Sequence, residues 1–118
     1  MLTLSQVFEK TAKDSQFSHH MSNFGHIFLH EADPALVESE PPFFADIPKN
    51  FYVFAAGFAH YWCEVFLLPV PKWVFDEKYI NNEPYFTHPL LKEEIKKLTP
   101  AQFAQRNYFV PAMEVMYV

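Results

Sequence analysis

Phe51-Tyr52-Val53-Phe54-Ala55-Ala56-Gly57-Phe58-Ala59-His60-Tyr61-Trp62-Cys63-Glu64-Val65-Phe66-Leu67 is the stretch on which the fold turns. At 100° per residue, Phe51, Phe54, Phe58, Trp62, Val65 and Phe66 share one broad face, and Ala56, Ala59 and Cys63 lie on the other side. A helix apolar nearly all round belongs in the centre of a bundle, where its small residues let neighbours approach closely. Pro48 and Asn50 precede it, and Pro69 and Pro71 are expected to end it, because proline has no N–H to continue the ladder. Carried on to Leu68, the run covers 18 residues, the lower edge of a membrane-spanning length. It contains His60 and Glu64, however, and a carboxylate at mid-bilayer is costly. The reading is a buried core helix with no membrane contact.

The residues around that helix support a packed domain. The chain has 118 residues, with 14 Phe, 6 Tyr and 2 Trp against 2 Gly, and is 50% hydrophobic. Such apolar mass excludes a disordered chain, and the length suits one domain over residues 1–118. Two glycines are too few for phosphate-cradling loops, so the ten prolines carry most of the punctuation. Thr3 and Gln6 have the spacing of a capping box and open a helix from Leu4 to about Lys13. A second helix is expected from Ser15 to His30, its apolar stripe made by Phe17, Met21, Phe24 and Phe28. Asp33-Pro34 caps and opens a short helix that Pro41-Pro42 stops.

Beyond the central helix, residues Val70 to Phe86 lose their period and read as an ordered loop with a helical turn, pinned by Trp73, Phe75, Tyr79 and Phe86. His88-Pro89 opens a helix to about Leu98, and Thr99-Pro100 a short one ending near Asn107. The segment from Tyr108 to Val118 reads as a short extended piece and a helical turn. The expected fold class is therefore all-α: a single-domain helical bundle around one central hydrophobic helix, with a long Pro- and aromatic-rich ordered loop.

Charge narrows the partners. The net charge is −5, and the one basic cluster, Lys92, Lys96 and Lys97, is interrupted by Glu93 and Glu94. A nucleic-acid binder concentrates basic residues to displace counterions from phosphate, so direct binding to nucleic acid is not expected. A protein partner is, and a basic one suits the charge, although −5 is also ordinary solubility charge. A homodimer stays open. The single cysteine, Cys63, excludes an internal disulfide and fits a reducing cytoplasm; no cationic, apolar leader opens the sequence.

Two histidine pairs could carry chemistry. His26 and His30 are four apart, the spacing at which two imidazoles share a metal, and His19 falls on the same side. That row lies opposite the Phe17/Met21/Phe24/Phe28 stripe and faces solvent unless a second helix covers it. His60 and Glu64 are also four apart, on the most hydrophobic helix, where a buried carboxylate needs a partner. Arg106, the chain's one guanidinium, could grip Glu64 through its planar fork. The trio reads either as a clamp between helices or as an acid/base or ligand pocket. Trp73, Phe75, Tyr85 and Phe86 offer an aromatic binding surface if they do not simply pack the loop. No nucleophile elbow or phosphate loop is present in the sequence, and no cofactor is expected.

The succession Leu68-Pro69-Val70-Pro71-Lys72-Trp73, Glu83-Pro84-Tyr85-Phe86 and Pro100 to Val110, the last with Arg106-Asn107-Tyr108-Phe109, resembles a set of small, largely uncharacterised bacterial helical domains. These stand alone or beside helix-turn-helix regulators, sometimes in toxin–antitoxin-like contexts. The likeness covers roughly residues 50 to 111, with a looser echo from Phe24 to Pro42. No helix-turn-helix is visible here. The resemblance implies a non-catalytic regulatory or interaction domain, antitoxin-like in some settings. The alternative is a small metal-dependent or carboxylate-using enzyme centred on His26/His30 or on His60/Glu64/Arg106.

Overall fold

The computed structural model describes residues 1–116; Tyr117 and Val118, the end of the expected C-terminal turn, lie outside the described residues. The chain is predominantly helical: α1 Leu4–Asp14, α2 Phe17–Glu31, α3 Lys49–Val65, α4 Lys92–Leu98, α5 Ala101–Ala104 and α6 Ala112–Met116. Short 3-10 turns lie at Pro34–Val37, Lys72–Phe75, Glu77–Tyr79 and Pro89–Leu91. Two strands of two residues each depart from the all-helical expectation. β1 Tyr85–Phe86 lies in the expected loop, whereas β2 Tyr108–Phe109 falls in the extended piece expected from Tyr108, and the two pair in parallel with Tyr85 opposite Tyr108. Alternation cannot show in so short a strand, and their pairing joins segments far apart in sequence. Among the described residues, no helix is long and apolar enough to cross a membrane.

Side-chain caps set the starts of α1 and of the Pro34–Val37 turn. Thr3 and Gln6 form the reciprocal capping box of α1, and the Asp33 carboxylate accepts the Ala35 N–H at 3.0 Å. Thr99, in contrast, turns its hydroxyl back to the Ile95 carbonyl at 2.6 Å, so α5 begins after Pro100 without a side-chain cap. That helix is also shorter than expected, with Asn107 in the left-handed region at φ 56°. Ser15, expected to begin α2, is instead the left-handed residue that closes α1.

The end of α3 differs from expectation in a similar way. Pro69 and Pro71 do not stop it. The Leu68 N–H reaches the Cys63 carbonyl at 2.7 Å and the Leu67 N–H the Glu64 carbonyl at 3.2 Å, a Schellman closure that ends the helix first. Leu67 holds the left-handed conformation this closure needs, at φ 59°, although it has a Cβ and is 91% exposed. Val65, placed by the wheel on the buried face, is half exposed just before this turn.

Packing gathers on α3. Phe8 of α1 stacks on Tyr52 and Phe17 of α2 on Phe51, both at 4.3 Å between centroids. Phe24 and Phe28 flank Phe58. On another side α3 meets α5, β2 and the 3-10 turns of the 70s segment. Gly57 permits that approach: a Cβ there would lie 2.6 Å from two ring carbons of the fully buried Phe103. The small residues Ala56, Ala59 and Cys63 are all buried, but Gly57 is where a ring rests on the helix backbone.

Two substitutions of opposite sign test this account by chemical denaturation. Gly57→Ala should gain helix propensity yet lose about 1–3 kcal/mol, because the methyl overpacks Phe103. Leu67→Gly should gain about 1 kcal/mol by removing the left-handed penalty at a position that buries nothing. A stabilised Gly57→Ala protein would mean that the ring of Phe103 is free to move.

Candidate functional site

His60, Glu64 and Arg106 do come together, but not as a carboxylate–guanidinium clamp. Glu64 is on the last turn of α3 and its side chain is 49% exposed, so the expected buried carboxylate is a half-solvated one. Arg106 is 2% exposed and follows α5, whose short length turns the guanidinium inward beneath the 70s segment. Its Nη1 donates to the Gln102 carbonyl at 2.6 Å and its Nη2 to the Val74 carbonyl at 2.7 Å. The same Nη1 faces His60 Nδ1 at 3.1 Å. Among the described residues, Arg106 Nε has no hydrogen-bond partner. The guanidinium therefore ties three pieces of chain through carbonyls and an imidazole, and Glu64 is reached indirectly, through His60 and through the Gln102 side chain, whose Nε2 donates to Glu64 Oε1 at 3.4 Å.

That arrangement assigns the His60 tautomer. Nδ1 faces two donors, Arg106 Nη1 and, at 3.4 Å, Gln105 Nε2, so it accepts. Nε2 then carries the proton and donates to Glu64 Oε1 at 2.5 Å. Burial foremost, and then the nearby Arg106 charge, push the His60 pKa below its ordinary value, against the pull of Glu64. Burial alone lowers the Arg106 pKa to about 10, which leaves it charged at neutral pH. The string can hold a neutral imidazole in one orientation. It leaves neither ring nitrogen free to take a proton from a substrate without first breaking an internal bond.

Space beside the string is small. A cleft of about 200 Å³ is lined by Val74, Phe75, Ile80, Gln105 and Arg106, below the roughly 300–1,000 Å³ of ordinary small-molecule sites. Phe75 sets its edge against the His60 ring at 4.9 Å while staying 57% exposed; Val74, not Phe75, is the buried anchor of that turn. Nearby on α3, burial raises the Cys63 thiol to about 11, so little thiolate is present at neutral pH.

The other candidates lie apart from one another. His19, His26 and His30 are on the exposed side of α2, opposite the buried Phe17, Met21, Phe24 and Phe28. Among the described residues, no three His, Cys, Asp or Glu side chains come together as a metal site. Trp73 donates its indole N–H to the Val37 carbonyl at 2.9 Å and meets Tyr79 edge-on. Phe86 stacks on Phe109 across the strand pair, with Lys92 and Lys96 above its ring, and Tyr85 leans on Tyr108. The four rings expected as one surface thus make four separate contacts: Trp73 with Tyr79, Phe75 with His60, Tyr85 with Tyr108 and Phe86 with Phe109.

A larger cleft, about 740 Å³, lies between the Pro41–Ile47 segment, Tyr52 and Tyr79. The polar side chains of Glu40, Tyr52, Lys78 and Tyr79 in its lining are already used by the chain. The Tyr52 hydroxyl accepts the Phe44 N–H and donates to the Pro42 carbonyl; Glu40 accepts the Tyr79 hydroxyl and pairs with Lys78 at 2.7 Å. Sequence reasoning missed Gln102, Gln105 and the Val74 carbonyl. The Gln102-Phe103-Ala104-Gln105-Arg106 spacing, which puts Gln102 one turn before Arg106, was the available signal.

A pH measurement tests the neutral His60. Because its folded pKa lies below its ordinary value, the unfolded chain binds more proton there once pH falls below about 6.5. The stability tied to the neutral ring is complete above that pH and is lost as pH falls towards the folded value. His60→Gln keeps an acceptor for Arg106 and a donor for Glu64 but cannot titrate. By calorimetry the wild-type Tm should fall more than that of His60→Gln between about pH 7 and pH 5; parallel curves would contradict a depressed His60. Comparisons of this chain with models of protein families, with curated proteins and with solved structures found no match.

Proposed function

We propose that this chain is a non-catalytic protein-interaction domain of bacterial, regulatory type, antitoxin-like as its sequence resemblance implies, working in the cytoplasm without a cofactor. One observation carries the reading: large apolar side chains gather, unburied, on the elements of the last third of the chain. Leu90 is 96% exposed and Met113 69%, with Leu91, Leu98 and Met116 about half exposed. Single exposed hydrophobics are ordinary, but several on adjoining elements favour a surface that a partner covers. His88 and Glu114 are hydrogen-bonded, which sets the turn before α4 beside α6.

The bundle organised on α3, with its Pro- and aromatic-rich loop, serves in this reading as the platform for that surface. The occupied nitrogens of His60 and the small cleft beside it weigh against the enzymatic alternative. The basic partner suggested by net charge fits less well, because the apolar surface is edged by both Lys and Glu.

Photo-crosslinking in cells expressing the full chain tests the proposal. A benzophenone side chain placed at Leu90 should give one discrete protein adduct, and the same group at Lys13 of α1 none. Adding Met113→Glu should abolish the Leu90 adduct while leaving the melting temperature unchanged. Equal labelling from Leu90 and Lys13, or no adduct at all, would overturn the reading.

A further inference from the structure

The apolar surface has a charge pattern that names its occupant. Within α4, Lys92-Glu93-Glu94-Ile95-Lys96-Lys97-Leu98, the acidic residues stand in the first turn and two lysines in the last. Ile95 is the only buried side chain of this helix, and it is buried apart from the main core cluster. One flank is already engaged: Lys92 and Lys96 lie 5.5 and 5.9 Å from the centre of the Phe86 ring, and Lys96 Nζ is 3.8 Å from Glu93. Helical spacing puts Glu94 and Lys97, three apart, on the opposite flank together with Leu98. Among the described residues, neither Glu94 nor Lys97 has a charged or hydrogen-bonding partner, and Leu90, Leu91 and Leu98 beside them are exposed.

Resting on the interaction reading above, we propose that the occupant is a second copy of this chain, bound through α4 about a two-fold axis. In such an isologous contact the same patch faces itself with the direction of the helix reversed. Antiparallel α4 helices then place Glu94 of each copy opposite Lys97 of the other, two equivalent ion pairs from one sequence pattern. The same reversal brings Leu91 and Leu98 of one copy over those of the other, with Met113 and Met116 at the margin.

Local charge permits this in an acidic chain. α4 has three Lys against two Glu, so the contact is not acidic although the whole chain carries −5. Repulsion between the remaining charges is screened beyond about 8 Å at physiological ionic strength. A parallel contact in register would set Glu94 against Glu94 and Lys97 against Lys97, and a head-to-tail contact shifted by three residues would match only one of the two pairs. That makes the pattern specific to one geometry.

Charge reversal with complementation tests it. By sedimentation equilibrium at about 100 µM, where a micromolar dimer is nearly saturated, the wild type should have twice the chain mass of 13.9 kDa. Glu94→Lys alone sets lysine against lysine twice, and Lys97→Glu alone sets glutamate against glutamate twice. Each should weaken self-association about tenfold. Mixed in equal amounts, the two variants restore both opposite-charge pairs, so a heterodimer of wild-type strength should form, read by labelling one variant with a fluorophore. A dimer indifferent to both substitutions, or a mixture that does not recombine, would overturn the α4 contact. If the wild type is a monomer while Leu90 crosslinks to a different protein, the second copy is wrong and the interaction reading stands. A monomer with no Leu90 adduct removes both.

Discussion

A guanidinium with almost no access to water needs acceptors from the protein, and Arg106 finds two of them on the backbone and one on an imidazole, with Nε left unmatched among the described residues. Carbonyl oxygens of Gln102 and Val74 accept its N–H groups, and His60 accepts from the same fork. Each contact comes from a different piece of chain: the start of the Arg106 segment, the 3-10 turn over Lys72–Phe75, and the middle of α3. Losing the fork would strand two carbonyls, each at about 1–3 kcal/mol where water cannot replace the donor. Arg106 is thus the tie at the middle of the 70s segment, beside the Trp73 bond to the Val37 carbonyl and the buried Val74 and Tyr79. It also explains why a carboxylate is not the partner. A carboxylate would have to be desolvated alongside the cation, whereas carbonyls and a neutral imidazole satisfy the fork without bringing in a second charge.

This constraint passes into the behaviour of the imidazole. Because Arg106 donates to Nδ1, the only proton on the His60 ring sits on Nε2, pointed at Glu64. The ring is thereby fixed between a cation and an anion, and its own charging is opposed by burial and by Arg106. A histidine held in this way resembles a catalytic one in its shifted pKa and its carboxylate neighbour. The difference is geometric: no nitrogen points into open space. Perturbed titration marks functional sites only in the company of a free reactive atom.

Much of the fold was legible because it rests on local rules. The Thr3–Gln6 box, the Asp33-Pro34 cap and the stripe of Phe17, Met21, Phe24 and Phe28 involve residues within a turn or two of each other, and spacing reveals them. What spacing could not reveal depends on distant partners. Leu67 closes α3 in a left-handed conformation with no glycine to announce it, and the prolines two and four residues later are the only stop signal visible in the sequence. The β1–β2 pair joins residues more than twenty apart, and the Val74 carbonyl that receives Arg106 is a backbone atom with no signature of its own. At the site, sequence placed the correct three side chains together but misjudged their bonding. A carboxylate on an apolar helix looks buried until the end of that helix is known to be close by, and Glu64 is on the last turn.

The density of aromatic residues divides the chain into unequal parts. Phe8, Phe17, Phe24, Phe28, Phe58 and Phe103 lock α1, α2, α3 and α5 through ring contacts, and all six are buried. α4 has no comparable anchor: one isoleucine goes inside, and Phe86 holds two lysines from below. Segments with few buried contacts open at a lower free-energy cost than the core, so α4 belongs to the less stable end of this structure. A partner that covers its leucines must first order them, which lowers affinity, but it also gains the apolar area the core does not use. The rigid aromatic core and the sparsely anchored helix are thus complementary. One fixes where the surface is presented, and the other keeps apolar side chains available at it.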